Sequence, residues 1–374
     1  MKNNYLYLTN NLKKMKFLKY LFFLLLIVII GVSIYFGTKD GTFNVASSKE
    51  IAAPSSLLFE TVNDFKTWKK WGPWMEEDPN IKIEYGTSTN GEGASYSWKS
   101  DVEEVGNGSM KTLSVTEDLP NNKNGKEIHQ EITFNTPFGD SKSNVYWRFE
   151  PIENTNKTKV TWGMKGEQTF MEKVFMSFQK EPFDKMLTSM FDKGLANLEK
   201  EVQDQMKKYT ITVNGITEYG GGYYLYKTSA TRINQIGNKM GPLFGQIMGF
   251  IKQNNVDMAG MPFTIYNEID QTNGTVIFST AIPVKEKVIT PAESDILSGY
   301  MAPSTTVKVT LQGNYNYLSE AYKKAKEYIV KNNLELAPNG KMFEVYKTDP
   351  EATPNPANWI TEIFFPVSKP QPKE

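Results

Sequence analysis

Hydrophobic positions along this chain follow three different patterns. From Tyr20 to Phe36 the residues read YLFFLLLIVIIGVSIYF, apolar on every face and free of charge and proline. A helix rises about 1.5 Å per residue, so an apolar run near twenty residues is what a bilayer crossing needs. A buried core helix would keep a polar stripe, and this run has none. Further on, Leu57, Leu58, Val62 and Phe65 recur at helical spacing after Ala53-Pro54-Ser55-Ser56. Proline there costs nothing, because the first N–H groups of a helix have no partner anyway. Phe183, Met186, Leu187, Met190, Phe191, Gly194, Leu195, Leu198, Val202 and Met206 keep spacings of three and four, which predicts one long amphipathic helix. Between these helices the chain breaks into short strands. Ser95-Tyr96-Ser97-Trp98, Val145-Tyr146-Trp147-Arg148-Phe149 and Lys159-Val160-Thr161-Trp162 are rich in aromatics and bounded by glycine turns at 91–94 and 106–109. The order is strand, two short helices, a meander of about six strands and one long helix. Such a helix buries its stripe across a curved antiparallel sheet, an α+β arrangement.

The third pattern is a repeat. Phe263-Thr264-Ile265-Tyr266 recurs as Phe343-Glu344-Val345-Tyr346, and Ile282-Pro283-Val284 recurs as Phe365-Pro366-Val367, each about eighty residues later. An amphipathic helix precedes each copy. The first carries Leu243, Phe244, Ile247, Met248 and Ile251; the second carries Leu318, Ala321, Tyr322, Ala325, Tyr328 and Ile329. Each copy reads strand, helix, strand, strand. Two such copies pair naturally around a pseudo-twofold axis, with strands in the centre and a groove between the helices. The expected organisation is a stub at 1–16, a membrane anchor at 17–37, one domain at 42–206 and a second at 209–370, with a short polar bridge, Asp204 to Lys208, between the domains.

The flanks of the apolar run set its expected orientation. Lys13, Lys14, Lys16 and Lys19 precede it, and only Lys39, beside Asp40, follows closely. The positive-inside rule then keeps the N-terminus in the cytoplasm and exports the rest, as a single-pass protein of the inner (cytoplasmic) membrane with both domains in the periplasm or outside. Tyr20 and Tyr35 stand where aromatic rings favour the interface. The alternative is a cleaved signal peptide. Its apolar region would be about 7–15 residues long and end at a small-x-small site, whereas Ile34, Tyr35 and Phe36 occupy that place. Met15 is an alternative start.

Composition narrows the chemistry. Lys plus Arg, 42, equals Asp plus Glu, 42, so no net field draws in nucleic acid or acidic substrates. Cysteine is absent, which removes disulfides, thiolate nucleophiles and cysteine metal sites. The one histidine, His129, sits in a strand reading in which Ile128, Ile132 and Phe134 point the other way, placing it on an outer face. A Ser-His-Asp triad would have to use it, with no nearby signature. A zinc site needs clustered ligands. No phosphate-cradling loop or dinucleotide fingerprint appears; Gly220-Gly221-Gly222 precedes tyrosines. No cofactor and no metal are expected, and any catalysis falls to carboxylates and tyrosines.

Family resemblances sharpen both domains. In the first, Ala53-Pro54, Trp68-Lys69-Lys70-Trp71-Gly72-Pro73-Trp74, Gly91-Glu92-Gly93-Ala94, Gly106-Asn107-Gly108-Ser109-Met110, Thr136-Pro137-Phe138, Val160-Thr161-Trp162 and Gly194-Leu195-Ala196-Asn197-Leu198 resemble the START-like (SRPBCC) superfamily, polyketide cyclase/dehydrase branch. The resemblance implies a helix-grip fold with an apolar cavity between helix and sheet. It implies no activity, and its tryptophans read as packing core rather than as a ligand cage. In the second, Gly260-Met261-Pro262-Phe263, Ala281-Ile282-Pro283-Val284, Val307-Lys308-Val309, Phe343-Glu344-Val345-Tyr346 and Thr361-Glu362-Ile363-Phe364-Phe365-Pro366-Val367 resemble the GyrI-like small-molecule-binding family, the effector-binding (AraC-type, SOUL-like) domain of multidrug-sensing activators. That resemblance implies that the acid of the last strand, Glu362, sits in the pocket and meets cationic ligands. No helix-turn-helix accompanies it, so gene regulation is not implied.

Alternation supports Glu362 independently. In Ile360-Thr361-Glu362-Ile363-Phe364 the acid shares a face with Ile360 and Phe364, which is costly unless something answers its charge. Aligning Pro283 with Pro366 sets Ser279 opposite it, so one half of the groove carries an acid where the other carries a hydroxyl. A wet face or a paired lysine would satisfy Glu362 equally. Glu344 shows the same pattern between Met342 and Tyr346, with Thr264 as its repeat partner. Tyr223, Tyr224, Tyr226 and Trp359 are candidate aromatic walls, or packing. Three functions fit. One is a membrane-anchored binding protein for hydrophobic or amphipathic cationic molecules, the expectation preferred here. The others are a hydrolase using a pocket glutamate and a non-catalytic scaffold or interaction protein.

Overall fold

The computed structural model describes residues 2–119, 122–136, 139–153, 155–350 and 352–368, with side chains from residue 15 onward except residue 123. Pro137 and Phe138 of one motif that carries the first resemblance, residues 369–370 of the second expected domain, and the side chains of Lys13 and Lys14 lie outside these. The chain divides into two compact units, Met1–Val202 and Gln203–Glu374.

The first unit opens with α1 (Lys2–Thr38), which continues through the expected stub without a break. There follow β1 (Thr42–Ile51), α2 (Ser55–Asn63), a 3-10 turn at Thr67–Lys70, and α3 (Trp74–Glu77). The meander is β2 (Lys82–Tyr85), β3 (Ser95–Lys99), β4 (Asn107–Leu119), β5 (Asn122–Thr136), β6 (Gly139–Ile152) and β7 (Lys157–Glu167). Then come α4 (Phe170–Met176) and α5 (Phe183–Met206). The strands form one antiparallel sheet in the order β1-β7-β6-β5-β4-β3-β2. Helix α5 buries Phe191, Gly194, Leu195, Leu198 and Val202, the expected stripe. Asp204, Gln205 and Met206 of the predicted polar bridge belong to the last turn of this helix, and Lys207 and Lys208 follow it.

Tryptophans occupy the space between helix and sheet. Trp68, Trp71, Trp147 and Trp162 are buried, and the last two rings stack with centroids 4.3 Å apart. Trp68 donates through Nε1 to the Val62 carbonyl at 2.7 Å, which ties the tryptophan run to the end of α2. His129 lies outside this core, half-exposed beside Glu127 at 3.3 Å. Its neighbour Gln130 is buried and accepts from Trp147 Nε1 at 3.2 Å.

Helix α4 was missed by spacing because it has only two turns. Its signal is a capping box: the Thr169 hydroxyl accepts from the Glu172 N–H, and the Glu172 carboxylate accepts from the Thr169 N–H. The sequence Thr-x-x-Glu before an apolar run carries that signature.

The second unit contains β8 (Thr210–Tyr219), β9 (Gly222–Arg232), α6 (Ile236–Gln253), β10 (Phe263–Asp270), β11 (Thr275–Val284) and β12 (Leu297–Met301). It continues with β13 (Ser304–Gln312), α7 (Leu318–Lys331), β14 (Glu335–Leu336), β15 (Phe343–Tyr346) and β16 (Ile360–Ser368). The strand order is β12-β9-β11-β10-β15-β16-β13-β8, with β14 paired to β16. The inner six strands are two copies of strand, helix, strand, strand, meeting at β10 and β15. Register confirms the equivalence: Ile265 pairs Ser279 in one copy, and Val345 pairs Glu362 in the other. At the join, Thr264 pairs Glu344 directly, so the pseudo-twofold axis passes between these two residues.

Chain connections force the sheet to curl. Six strand spacings separate β8 from β9, roughly 29 Å in a flat sheet. Only Gly220 and Gly221 link them, a reach of about 11 Å. Gly221 turns with φ of +64°, and a Cβ there would lie 2.1 Å from the Met301 carbonyl oxygen. The inner face of the curl gathers Phe263, Ile265, Ala281, Phe343, Val345 and Phe364, with Tyr219, Tyr224, Tyr226 and Met301 from both edges. On the outer face α6 covers Leu225, Ile282 and Val284, and α7 covers Val307, Val309, Leu311, Ile363, Phe365 and Val367. The two central strands run beneath the gap between the helices.

Gly194 tests the packing of the first unit. An added Cβ would meet Trp162 Cζ3 at 2.3 Å, and that ring is fixed in the core. Alanine improves helix propensity by up to about 1 kcal/mol, while overpacking costs typically about 1–3 kcal/mol. Gly194→Ala is therefore expected to lower stability, read as an earlier denaturant midpoint for the first unit. A later midpoint would contradict this packing.

Candidate functional site

Glu344 sits at the centre of the second unit. Strand β15 places it on the outer face, on the pseudo-twofold axis, beneath the gap between α6 and α7. Its side chain is fully buried. Tyr346, two residues on and on the same face, donates its hydroxyl to Glu344 Oε2 at 2.8 Å. Tyr322 of α7 donates to Oε1. Tyr266, the repeat equivalent of Tyr346, also hydrogen-bonds the carboxylate. Among the described residues no cationic side chain pairs with it. Burial pushes the Glu344 carboxyl up to about 7, against the lowering effect of the Tyr346 and Tyr266 hydrogen bonds.

Aromatic and soft groups continue from this carboxylate. The Tyr346 hydroxyl reaches Met240 Sδ of α6 at 3.7 Å, and its ring lies 6.0 Å from Phe244. Tyr315, in the 3-10 turn before α7, lies 5.9 Å from Tyr346 and 4.8 Å from Trp359. Burial, then the charge of Glu344, pushes the Tyr315 phenol up to about 12. Trp359 is held by its Nε1, which donates to the Thr353 carbonyl at 2.8 Å. The Thr361 hydroxyl, cross-strand from Tyr346, is buried without a hydrogen-bond partner. An open cleft of about 730 Å³ runs along α7, lined by Gln271, Ser319, Tyr322 and Lys326 among others. Tyr322 thus touches both the cleft and the buried acid.

Glu362 lies on the opposite face, inside the curl. Lys308 donates to its Oε1 at 2.6 Å, and both side chains are about one-fifth exposed, 24% for Lys308 and 19% for Glu362. The lysine also stands over the Phe364 ring at 5.8 Å. Ser279, the repeat equivalent of Glu362, is buried and bonds Thr228 at 2.8 Å and Asn267 at 2.7 Å. Tyr224 and Tyr226 share this inner face, with ring centroids 5.5 Å apart and Tyr224 5.3 Å from Phe263. Tyr223 points to the other side, against the α6 cluster.

The candidate residues therefore divide. Glu344 and Trp359 belong to the outer groove; Glu362, Tyr224 and Tyr226 belong to the inner face. Sequence reasoning left Tyr266, Tyr315 and Tyr322 out of the site. The repeated Phe-x-x-Tyr motif was the available signal, since it sets one tyrosine of each copy on the face of Glu344. Among the described residues no group of three acids or histidines is placed to hold a metal ion.

Residues 42–203 match the family described as polyketide cyclase/dehydrase and lipid transport. Residues 224–368 match the GyrI-like small-molecule-binding domain. Comparison with curated proteins finds no match. Among solved structures, the C-terminal domain of EcmrR is similar at 18% identity and a TM-score of 0.35, over 43% of this chain and 99% of that one. A protein from Mesorhizobium loti is similar at 13% identity and a TM-score of 0.30, over 43% of this chain and 98% of that one. This chain thus joins a domain of the polyketide cyclase/dehydrase family to a GyrI-like small-molecule-binding domain, in the order its motifs predict.

Proposed function

We propose that this chain is a membrane-anchored binding protein for hydrophobic or amphipathic cationic small molecules. The observation that carries the reading is Glu344, a fully buried carboxylate ringed by phenols and, among the described residues, without a cation. A buried acid of this kind is costly to ionise until a positive charge answers it. A lipophilic cation supplies that charge, and Phe244, Tyr315, Tyr346 and Trp359 offer ring faces for its body. Glu362, the acid that the family resemblance implies, already has Lys308 as its counter-charge and ranks second as the ligand's partner. Anchoring is supported by Met15–Thr38, which is long and apolar enough to cross a bilayer, and by the lysine excess before it.

Cation affinity is expected to rise with pH up to about 7 and then level off, because a protonated Glu344 must first lose its proton. Below that point each pH unit should weaken binding by up to about tenfold. Titrating tetraphenylphosphonium at several pH values measures this. Glu344→Gln should lower the affinity roughly tenfold or more, remove the pH dependence and spare a neutral isostere. If Glu362→Gln has that effect and Glu344→Gln does not, the ligand belongs to the inner face.

Stability follows the same proton with a definite sign. The folded value of Glu344, about 7, lies above the ordinary 4.5, so its contribution is fully present below pH 4.5 and lost as pH rises through 7. The full loss is on the order of 3 kcal/mol. Denaturant unfolding of the second unit across this window should show the decline, and Glu344→Gln should flatten it. An unchanged slope in the variant would contradict the burial of a titrating acid.

A hydrolase is the second reading, favoured by a carboxyl whose value near neutrality suits general acid–base work beside tyrosine hydroxyls. It wins if Glu344→Gln abolishes turnover of a reactive ester while leaving cation binding intact. Topology is checked separately. A reporter fused after Glu374 should be active only when it folds outside the cytoplasm, and strong activity of a cytoplasmic reporter would overturn the orientation.

A further inference from the structure

The C-terminal end of α1 is fastened to the first unit at one place. Among the described side chains of α1, Phe36 alone is buried. Its ring meets Phe170 of α4 edge-on, with centroids 6.5 Å apart. Lys173, also on α4 and 9% exposed, donates its Nζ to the Lys39 carbonyl at 2.7 Å. A cation over the last carbonyls of a helix is favourable, because the helix dipole is negative there. So α4 cannot stand more than about a helix diameter, roughly 10 Å, from the point where α1 would leave a bilayer.

Around that joint α4 and the turn after it leave large rings in the open. Phe170 is 39% exposed, Phe175 48% and Phe178 82%. Isolated apolar residues on a surface need no explanation, but three phenylalanines within nine residues beside a membrane-type helix form a patch. The charges over 170–185 balance, with Glu172, Glu181 and Asp184 against Lys173, Lys180 and Lys185. The patch therefore has an apolar rather than an electrostatic reason to meet lipid.

We propose that α4 and the segment through Phe178 form an interfacial foot that inserts its phenylalanines into the same bilayer that α1 spans. The proposal rests on the membrane-spanning reading of α1. The foot would hold this end of the first unit against the lipid surface, so that the sheet and α5 do not swing freely on a single helix. The occupant follows from continuity with α1. Exposed aromatic rings beside a membrane-type helix are the kind of group that settles at the headgroup boundary.

The absence of cysteine makes the test clean. Single cysteines carrying a fluorophore are placed in the full chain, reconstituted into phosphatidylcholine vesicles. Gln179→Cys reports the foot and leaves every phenylalanine in place. Ile29→Cys reports the middle of α1. Asn156→Cys, in the turn before Lys157, is the aqueous reference, because the eleven residues of β7 separate it from the α4 end by roughly 36 Å. The expected result is quenching of the Gln179 label by lipid-borne nitroxide and protection from aqueous iodide, with the reverse at Asn156. Adding F175S and F178S should abolish the lipid quenching at Gln179. If the label at Ile29 is lipid-quenched but that at Gln179 is quenched only by iodide, the foot is refuted while the anchor stands. Protection of Gln179 from both quenchers would mean that protein covers the patch, which also refutes it. If the label at Ile29 is itself open to iodide, the anchor reading fails and takes the foot with it. Lipid quenching that survives the two serines would show that the phenylalanines do not hold the foot, and would overturn the proposal.

Discussion

A carboxylate buried beside a pseudo-twofold axis breaks the symmetry of the two repeats. Glu344 and Thr264 face each other across the join of two repeats, and only one of them carries charge. The rest of the groove answers that asymmetry. Tyr346 and Tyr266 reach the carboxylate from the two copies, and Tyr322 closes over it from α7. Hydroxyls soften the cost of burial but supply no countercharge, so the acid is held near neutrality instead of being locked as an ion. The arrangement leaves one unit of charge undecided, and a ligand can decide it.

The contrast with Glu362 shows why position within the sheet matters. Both acids come from one repeat, on the adjacent strands β15 and β16, with Val345 paired to Glu362. Their side chains leave opposite faces. The curl imposed by the Gly220-Gly221 link turns one face inward, where Lys308 meets Glu362. It turns the other outward between two helices, where the space above the central strands is not filled by either helix alone. The first unit uses its equivalent space differently. There Trp68, Trp71, Trp147 and Trp162 fill the region between α5 and the sheet, with Gly194 notched to admit Trp162.

Periodicity carried much of this in advance. The stripe of α5, the apolar run of α1 and the doubled Phe-x-x-Tyr motif follow from local spacing, and the two folds followed from motif order. What stayed hidden was set by distance along the chain. Lys308 answers Glu362 from 54 residues away, and strand pairing alone brings them together. The environment of Glu344 depends on Thr264, Tyr266 and Tyr322, which no window around residue 344 contains. Alternation marks both acids as lying beside apolar neighbours, yet it cannot say which face a helix will cover. Helix α4 escaped because two turns hold too few apolar positions to show a period, although Thr169 and Glu172 mark its start.

The central claim is that Glu344 keeps an undecided proton until a cation arrives. Carbon-13 labelling of the glutamate carboxyl groups, with Glu344→Gln to assign the signal, measures this directly by NMR titration. The account predicts a midpoint near 7 in the free protein and a clear fall when a lipophilic cation is bound. A midpoint in the ordinary glutamate range in the free protein, or one that a bound cation leaves unmoved, would contradict it.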